Sequence, residues 1–273
     1  MPNVQVYAIL TTCLKRGDVM SVIIAVANQK GGVGKTTTVL NLAAALAESG
    51  MNVLAVDFDP QGNLSSGFGI EINKLENTVY EAVMDHCDTK DALQKTYSEH
   101  LDILPSNMNL SGAEIELLDI EEREYRLKKC LESVDGKYDY ILIDCPPSLS
   151  LLTVNALTAA DRVLIPIQCE YYAMEGLSQM LKSVGLIRKR LNTELKVDGI
   201  IFTMFDGRNN LSSQVVESVK SALKEYIYDT IIPRNVRVAE APSYGMPVTE
   251  YDPHSSGAEN YRKLAAELIS KED

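Results

Sequence analysis

The chain has 273 residues, of which 45% are hydrophobic and 23% charged, a composition typical of soluble globular proteins. Its 26 basic and 38 acidic side chains leave a formal net charge of −12, so any contact with nucleic acid must come from a local basic patch. No run of about 18 apolar residues indicates a membrane-spanning helix.

Residues 1–19 precede the first predicted strand and lack the charged, apolar and small-residue regions of a signal peptide. Residues 15–18, Lys-Arg-Gly-Asp, can be encoded by a purine-rich stretch just before the codon of Met20, and such a stretch resembles a bacterial ribosome-binding site. We therefore predict that residues 1–19 are a translated upstream region, a non-native or disordered extension. Residues 20–273 are predicted to form a single domain.

A glycine-rich segment at residues 28–37, Asn-Gln-Lys-Gly-Gly-Val-Gly-Lys-Thr-Thr, lies between an apolar run and a helix-like run. A strand, a glycine-rich turn and a helix N-terminus in this order form a phosphate cradle. The backbone N–H groups face phosphate oxygens, Lys35 adds a positive charge, and the Thr36 hydroxyl is placed to ligate Mg²⁺. The predicted nucleotide-binding residues of this loop are Lys30, Gly31, Gly32, Val33, Gly34, Lys35, Thr36 and Thr37.

The loop departs from the usual pattern G-x-x-x-x-G-K-[ST], because Gln29 stands where that pattern has its first glycine and Lys30 adds a second lysine. Two neighbouring cations repel each other unless an anion neutralises both. Lys30 is then either a solvated loop lysine or a residue that crosses a dimer interface to the partner's nucleotide, in the manner of an arginine finger. We predict the second role.

Along the rest of the chain, apolar strands alternate with helical runs. This alternation predicts an α/β fold with a mostly parallel, twisted sheet and helices on both faces. Strands are predicted at residues 22–27, 52–57, 101–104, 138–144, 162–167, 199–204 and 230–232. Helices are predicted at residues 37–48, 111–134, 173–191, 210–226 and 257–270, with weaker helical signals over 75–96.

Asp57, Asp59 and Asp144 follow the ends of predicted strands. The carboxyl ends of parallel strands are where such sheets carry their chemistry. Asp144 matches a Walker B acid, which holds Mg²⁺, and Asp59 can orient or deprotonate an attacking water. One such aspartate alone would be read as a loop residue or a helix cap. Three beside a phosphate-binding loop favour catalysis.

Several segments resemble the ParA/Soj partition ATPases, members of the MinD/ParA superfamily of P-loop NTPases with a deviant Walker A motif. The nucleotide motifs of that family are similar to Lys-Gly-Gly-Val-Gly-Lys-Thr-Thr at 30–37, Val-Asp-Phe-Asp-Pro-Gln-Gly-Asn at 56–63 and Ile-Asp-Cys-Pro-Pro-Ser at 143–148. Further similarity occurs at 168–176, 232–237 and 240–247. The resemblance is strongest to the chromosomal Soj type and runs from about Met20 to the C-terminus.

The resemblance implies an Mg²⁺-dependent ATPase that alternates between ATP and ADP and forms a nucleotide-sandwich homodimer. Lys30 and Lys35 would act on the phosphates, Lys30 across the interface, and Asp59 would position the attacking water. Thr36 and Asp144 would hold Mg²⁺. The residues implied around adenine and ribose are Met204, Pro233 and Asn235.

The resemblance also implies that the ATP-bound dimer binds DNA without sequence preference, through Arg208 and Arg237. Further basic residues would enlarge this patch, namely Lys182, Arg188, Lys189, Arg190, Lys220 and Lys224. Asp206 and Glu225 stand among these basic residues and depart from a purely basic patch. The implied partner is a ParB-like centromere-binding protein, and the implied location is the cytoplasm, on the nucleoid. The sequence leaves the cargo open: chromosome, plasmid or another assembly.

Three other classes of protein share parts of this sequence pattern. A membrane-surface ATPase like the MinD proteins requires a basic amphipathic C-terminal helix, but the chain ends Lys-Glu-Asp, and its last apolar stripe is predicted to pack on the core. An iron–sulfur protein like the nitrogenase iron protein is disfavoured because the five cysteines are scattered without a C-x-x-C pair. Such cysteines predict reduced thiols in a cytosolic protein. A bacterial tyrosine kinase would carry a C-terminal tyrosine cluster, which is lacking.

Overall fold

The computed structural model describes residues 20–223 and 226–272. The extension predicted over residues 1–19 lies outside the described residues. Within the described part, one eight-stranded sheet has the order β3-β4-β2-β5-β1-β6-β7-β8, parallel throughout except that β3 runs antiparallel to β4. The strands are β1 (Val22–Val26), β2 (Val53–Asp57), β3 (Gln94–Lys95), β4 (Leu101–Leu104), β5 (Tyr140–Asp144), β6 (Arg162–Gln168), β7 (Lys196–Phe205) and β8 (Ile227–Pro233).

Helices cover both faces of this sheet. In chain order they are α1 (Lys35–Glu48), α2 (Asn63–Gly67), α3 (Val79–Val83), α4 (Thr89–Ala92), α5 (Leu110–Glu116), α6 (Arg126–Glu132), α7 (Leu151–Ala159), α8 (Ala173–Arg190), α9 (Asn210–Leu223), α10 (Val236–Glu240), α11 (Val248–Tyr251) and α12 (Ser256–Ser270). None of the helices in the described ranges is long and apolar enough to cross a membrane.

The alternation of side chains along the central strand explains the two-sided core. Ile24 and Val26 pack into one buried cluster with α1 and α12, whereas Ala25 and Ala27 pack into a second cluster on the opposite face. Successive strand residues point to opposite faces, so a strand that is apolar at every position must be covered twice. The predicted α/β fold with a mostly parallel sheet is therefore confirmed.

The predicted helix over residues 111–134 is wrong. Two short helices, α5 and α6, lie there instead, separated by short 3₁₀ turns. The chain turns at Glu122, whose φ of 54° is left-handed and interrupts a right-handed helix. Lys129 then holds Glu122 through a salt bridge of 2.7 Å, and Arg123 donates to the Leu118 carbonyl. These local bonds stabilise the turn within the acidic run.

Helix α7 was not predicted from the sequence. Its residues, Leu-Leu-Thr-Val-Asn-Ala-Leu-Thr-Ala, are mostly buried and lack a polar face. A helix that is covered on most sides loses the one-sided apolar period by which helices are recognised.

The strand order places one polar edge around β1. The chain leaves β1 toward β2 on one side, and it later passes from β5 to β6 on the other side, so β1 lies at the switch in strand direction. Ligands of open α/β sheets bind at the carboxyl ends of strands at such a point. In register, Asp144 is opposite both Val26 and Asp57. The loop after β1 therefore begins beside two acidic strand ends.

Candidate functional site

The loop between β1 and α1 depends on two glycines with left-handed backbone. Gly32 has φ 72° and Gly34 has φ 86°, values that side chains with a Cβ adopt only with strain. Gly34 is also the N-cap of α1, so the loop turns directly into the free N–H groups of a fourteen-residue helix. This geometry supplies the anion-binding end that the sequence predicted.

Buried Asn28 braces the start of the loop. Its Nδ2 donates to the Pro166 carbonyl on β6 at 2.8 Å, and its Oδ1 accepts the Lys30 backbone N–H at 3.0 Å. Gln29, which replaces the first glycine of the usual motif, donates from Nε2 to the Ser183 hydroxyl on α8 at 2.8 Å. The deviant residue therefore ties the loop to α8, a contact that the sequence alone did not indicate.

The loop opens onto a cavity of about 380 Å³ at the carboxyl edge of the sheet. Six of the predicted residues of the loop and the predicted Asp59 and Met204 line it. Val33, the residue between Gly32 and Gly34 in the loop, is buried and does not line the cavity. Three further lining residues, Gln61, Asn63 and Pro147, were not predicted from the sequence. Gln61 and Asn63 lie in the motif at 56–63, and Pro147 lies in the motif at 143–148. The full lining is Gly31, Gly32, Gly34, Lys35, Thr36, Thr37, Asp59, Gln61, Asn63, Pro147 and Met204.

Asp144 is the least satisfied polar group of this region. Its carboxylate is fully buried, and neither oxygen has a hydrogen-bond partner among residues 20–223 and 226–272. Burial raises the pKa of Asp144 well above its usual value, and the charge of Asp57 adds to that shift. The Thr36 side chain lies close enough to oppose the shift in pKa without completing a hydrogen bond. A buried carboxylate without a partner requires a cation or a proton.

The residues around Asp144 fit Mg²⁺. A carboxylate and a hydroxyl supply the hard oxygen ligands that this ion prefers, and it commonly takes only one or two protein ligands beside substrate phosphates. Thr36 lies in the first turn of α1 and Asp144 ends β5, so both predicted ligands lie at the same edge of the sheet. The predicted pair Thr36 and Asp144 is therefore the set that would hold the ion.

Lys35 is largely buried at the start of α1, and its Nζ donates to the Lys30 carbonyl at 3.3 Å. Burial lowers the pKa of Lys35, whereas the negative charges of Asp144 and Asp59 oppose that shift. The ammonium group is thus held inside the loop, close to two carboxylates. A phosphate chain in the cradle would meet a cation that is already positioned and partly stripped of water.

Asp57 and Asp59 take different roles despite their proximity. Asp57 is fully buried and accepts hydrogen bonds from the Ser65 hydroxyl and the Ser65 backbone N–H, the latter at 2.8 Å. Burial raises the pKa of Asp57 to about 6, and the Ser65 hydrogen bonds limit that rise. Asp59 instead lines the cavity, and its Oδ1 accepts the Gln61 N–H at 3.0 Å. Asp57 is therefore a structural anchor of α2, and Asp59 faces the cavity.

Lys30 does not lie free in solvent. Its Nζ forms a salt bridge of 2.6 Å with Glu170 Oε2, in the segment between β6 and α8. Both side chains are partly exposed, 35% for Lys30 and 48% for Glu170. The second lysine of the loop is therefore paired within its own chain.

Met204, near the end of β7, has a left-handed φ of 51° and lines the cavity. Such a backbone is uncommon for a side chain of this size and marks strain at a functional edge. The preceding residue, Thr203, is buried, and its hydroxyl donates to the Val33 carbonyl at 2.7 Å, with the Ile167 carbonyl at 3.2 Å. Strand β7 is thus bonded directly to the phosphate-binding loop.

Pro233 and Asn235 do not line the cavity. Pro233 ends β8, in register with Phe205 of β7. Asn235 caps α10: its Oδ1 accepts the N–H groups of Arg237 and Val238, and its Nδ2 donates to Ser256 Oγ at 2.8 Å. Their part in adenine and ribose binding stays a prediction.

Arg208 and Arg237 lie beyond the carboxyl ends of β7 and β8, the last two strands in the order of the sheet. Arg208 is 89% exposed and pairs with Asp206, with Nη2–Oδ2 at 2.8 Å. Arg237 pairs with Glu240, with Nη1–Oε2 at 3.0 Å. The strands bring the two arginines to one edge, but each has an acidic neighbour.

Comparison with known proteins identifies the family of this chain. The AAA domain family matches residues 21–197. The sporulation initiation inhibitor protein Soj of Bacillus subtilis is 56% identical over 251 residues, covering 92% of this chain and 99% of the relative. The chromosome partitioning protein ParA of Myxococcus xanthus is 50% identical over 250 residues, covering 92% of this chain and 88% of the relative.

A solved structure adds the ligand state of a neighbour. The cobyrinic acid a,c-diamide synthase from Mycobacterium smegmatis, with a bound ATP analog and magnesium, is similar to this chain with a TM-score of 0.80. Sequence identity is 40%, and the match covers 91% of this chain and 94% of that chain. The cradle described above is thus part of a fold that holds an adenine nucleotide and magnesium in a similar protein.

Proposed function

Because the chain belongs to the ParA/Soj family of P-loop ATPases, we propose that it is an ATP-controlled switch that binds DNA and acts in chromosome or plasmid partitioning. It hydrolyses ATP to ADP and phosphate and uses Mg²⁺. The observation that carries the ATPase activity is the unpartnered, buried carboxylate of Asp144 beside a cradle that contains Lys35 and Thr36. The partition relatives are more similar to this chain than the structure named as a synthase is.

The groups that surround the cavity have different roles in ATP hydrolysis. The N–H groups of the loop and the Lys35 ammonium bind and orient the phosphates. When bound by Thr36 and Asp144, Mg²⁺ neutralises charge on the phosphate oxygens. Asp59 orients a water molecule for attack or accepts its proton, because its carboxylate faces the cavity.

ATP binding is proposed to bring two copies of the chain together. Lys30 then leaves Glu170 and reaches the phosphates of the partner's nucleotide, where a second cation stabilises the charge that develops in the transition state. The ATP-bound homodimer binds DNA without sequence preference through Arg208 and Arg237. It works with a ParB-like centromere-binding protein, in the cytoplasm and on the nucleoid.

The membrane-surface alternative requires a free amphipathic C-terminal helix. In this chain the apolar stripe of α12 is buried against α1 and β8, and it consists of Tyr261, Leu264, Ala265 and Leu268. Beyond the helix, Glu272 accepts a bidentate salt bridge from Arg162 at 2.6 and 2.8 Å. The residues that would insert into a membrane are therefore part of the core, which confirms the predicted packing of this stripe.

The proposed switch is tested by binding the full chain to a fluorescent duplex of random sequence at fixed low salt, with ATP, with ADP and with no nucleotide. Binding is expected with ATP alone. Lys35→Ala should abolish it together with nucleotide binding, and replacing Arg208 and Arg237 by alanine should abolish it while ATP-dependent dimerisation persists. Equal binding without nucleotide would contradict the switch. Flotation with anionic vesicles serves as the control for the membrane alternative and should show none.

A further inference from the structure

A third arginine lies at the same edge of the sheet as the two predicted DNA contacts. Arg234 directly follows β8, and its backbone N–H donates to the Phe205 carbonyl at the end of β7 at 2.9 Å. Phe205 is in register with Pro233 on the neighbouring strand. Arg234 is thereby fixed beside the turn that carries Asp206 and Arg208.

Arg208 is held by its own turn. Its Nε and Nη2 donate to the two oxygens of Asp206 at 2.9 and 2.8 Å, which is the bidentate geometry of a phosphate or carboxylate contact. The hydrogen bonds from Arg208, and to a smaller extent the charge of Arg234, lower the pKa of Asp206 to about 2. Asp206 therefore stays charged, and it occupies the two donors that a DNA phosphate would use.

Arg237 is held in the same way by two carboxylates. Its Nη1 lies 3.0 Å from Glu240 Oε2, and its Nε lies 3.2 Å from Asp252 Oδ2. Glu240 also accepts a hydrogen bond from the Tyr251 hydroxyl at 3.3 Å, which fixes it beside the arginine. With one positive and two negative charges, this group has a net charge of −1.

Arg234 differs from both. It is exposed. Among residues 20–223 and 226–272, no carboxylate oxygen lies within 4.0 Å of its guanidinium nitrogens, the distance that defines an ion pair. Its charge is close enough to act on Asp206 without being paired to it. An exposed guanidinium that already lacks an anion can bind phosphate without first breaking a salt bridge.

We propose that Arg234 is a third phosphate-binding residue of the DNA surface, and that Asp206, Glu240 and Asp252 weaken this surface by neutralising Arg208 and Arg237. This inference rests on the proposed DNA binding. Every phosphate contact made by Arg208 or Arg237 exchanges one anion for another, whereas a contact by Arg234 adds a new ion pair. The acidic partners would lower the affinity of this surface for DNA phosphates, in the same direction as the net charge of −12 acts.

The test measures the affinity of the ATP-bound full chain for a fluorescent random-sequence duplex over a range of salt concentrations. Arg234→Ala should weaken binding and make the salt dependence shallower by about two units per dimer, one for each lost phosphate contact. Arg234→Lys should restore most of the slope, because it keeps the charge. Lys128→Ala is the matched control, since this exposed lysine lies on α6 on the other half of the sheet.

Asp206→Asn tests the neutralisation in the opposite direction. It should strengthen DNA binding by roughly two- to fivefold per protomer, the range expected for releasing an exposed ion pair. Arg234→Ala and Asp206→Asn should both dimerise with ATP and melt like the wild type, because neither Arg234 nor Asp206 lines the cavity.

The outcomes distinguish the role of Arg234 from the proposed DNA binding. If the wild type binds the duplex and Arg234→Ala binds equally well with the same salt slope, the role of Arg234 is overturned and the proposed function stands. If Asp206→Asn does not strengthen binding, the neutralising role of Asp206 is overturned. If the wild type binds no duplex in any nucleotide state, the proposed DNA binding fails, and this inference fails with it.

Discussion

Lys30 and Glu170, 140 residues apart in the chain, are joined by a hydrogen-bonded salt bridge of 2.6 Å. The bridge connects the phosphate-binding loop to the segment that leads into α8. In the proposed dimer, Lys30 would leave Glu170 to reach the partner's nucleotide. A phosphate would then replace Glu170 as the anion beside Lys30.

Glu170→Gln is expected to favour the ATP-bound dimer, because it removes the anion that competes for Lys30. An exposed ion pair is worth about 0–1 kcal/mol, so the dimer dissociation constant should fall by roughly two- to fivefold for each lysine released. Light scattering at several protein concentrations, with ATP and Mg²⁺, measures this constant. Glu175→Gln, an exposed change on α8, is the control and should leave it unchanged.

Lys30→Ala gives the complementary result. It should retain ATP binding, since Lys35 remains in the cradle, but it should prevent the dimer at protein concentrations where the wild type is dimeric. Equilibrium dialysis with labelled ATP and light scattering measure the two properties separately. A dimer of unchanged stability in ATP-loaded Lys30→Ala would refute the role of this lysine across the interface.

Asp59→Ala is expected to trap the ATP-bound dimer, because the phosphate contacts remain while the water loses the group that orients it. Phosphate release should fall by about a hundredfold or more, the usual contribution of a general base. Asp59→Asn keeps the oxygen that accepts the Gln61 N–H, so it separates the loss of chemistry from a loosened turn. Normal turnover in Asp59→Ala would remove Asp59 from the mechanism, whereas normal turnover in Asp59→Asn alone would exclude only its role as a base.

Thr203→Val should destabilise the loop without changing the volume of the side chain. The Val33 carbonyl loses its 2.7 Å donor, and leaving such a buried acceptor unpaired costs about 1–3 kcal/mol. We expect a lower free energy of unfolding in denaturant titrations and weaker ATP binding. Thr203→Ser retains the hydroxyl and should stay close to the wild type. If valine and serine behave alike, the bond to Val33 is unimportant.

Deletion of residues 1–19 should leave the protein active. A chain that starts at Met20 retains β1 and the whole cavity, so its melting temperature, ATP turnover and ATP-dependent dimerisation should equal those of the full chain. The three measurements on the two chains, side by side, decide the matter. A markedly lower melting temperature of the shortened chain would assign these residues to the fold.

Local pattern was enough to predict much of this protein. The strand, glycine turn and helix around Gly34 are contiguous in sequence, and the positions of Asp59 and Asp144 after apolar strands follow from the rule that parallel strands end at one edge. The same reasoning overextended the helix at 111–134, because an acidic run looks helical until the turn at Glu122 is seen.

The pairings that distinguish similar residues came only from the tertiary structure. Gln29 meets Ser183 across 154 residues, and Thr203 meets Val33 across 170. Such contacts depend on strand order and register, which local periodicity does not encode. Arg234 illustrates the limit: its charge is visible in the sequence, but whether a carboxylate neutralises it depends on how β7 and β8 align.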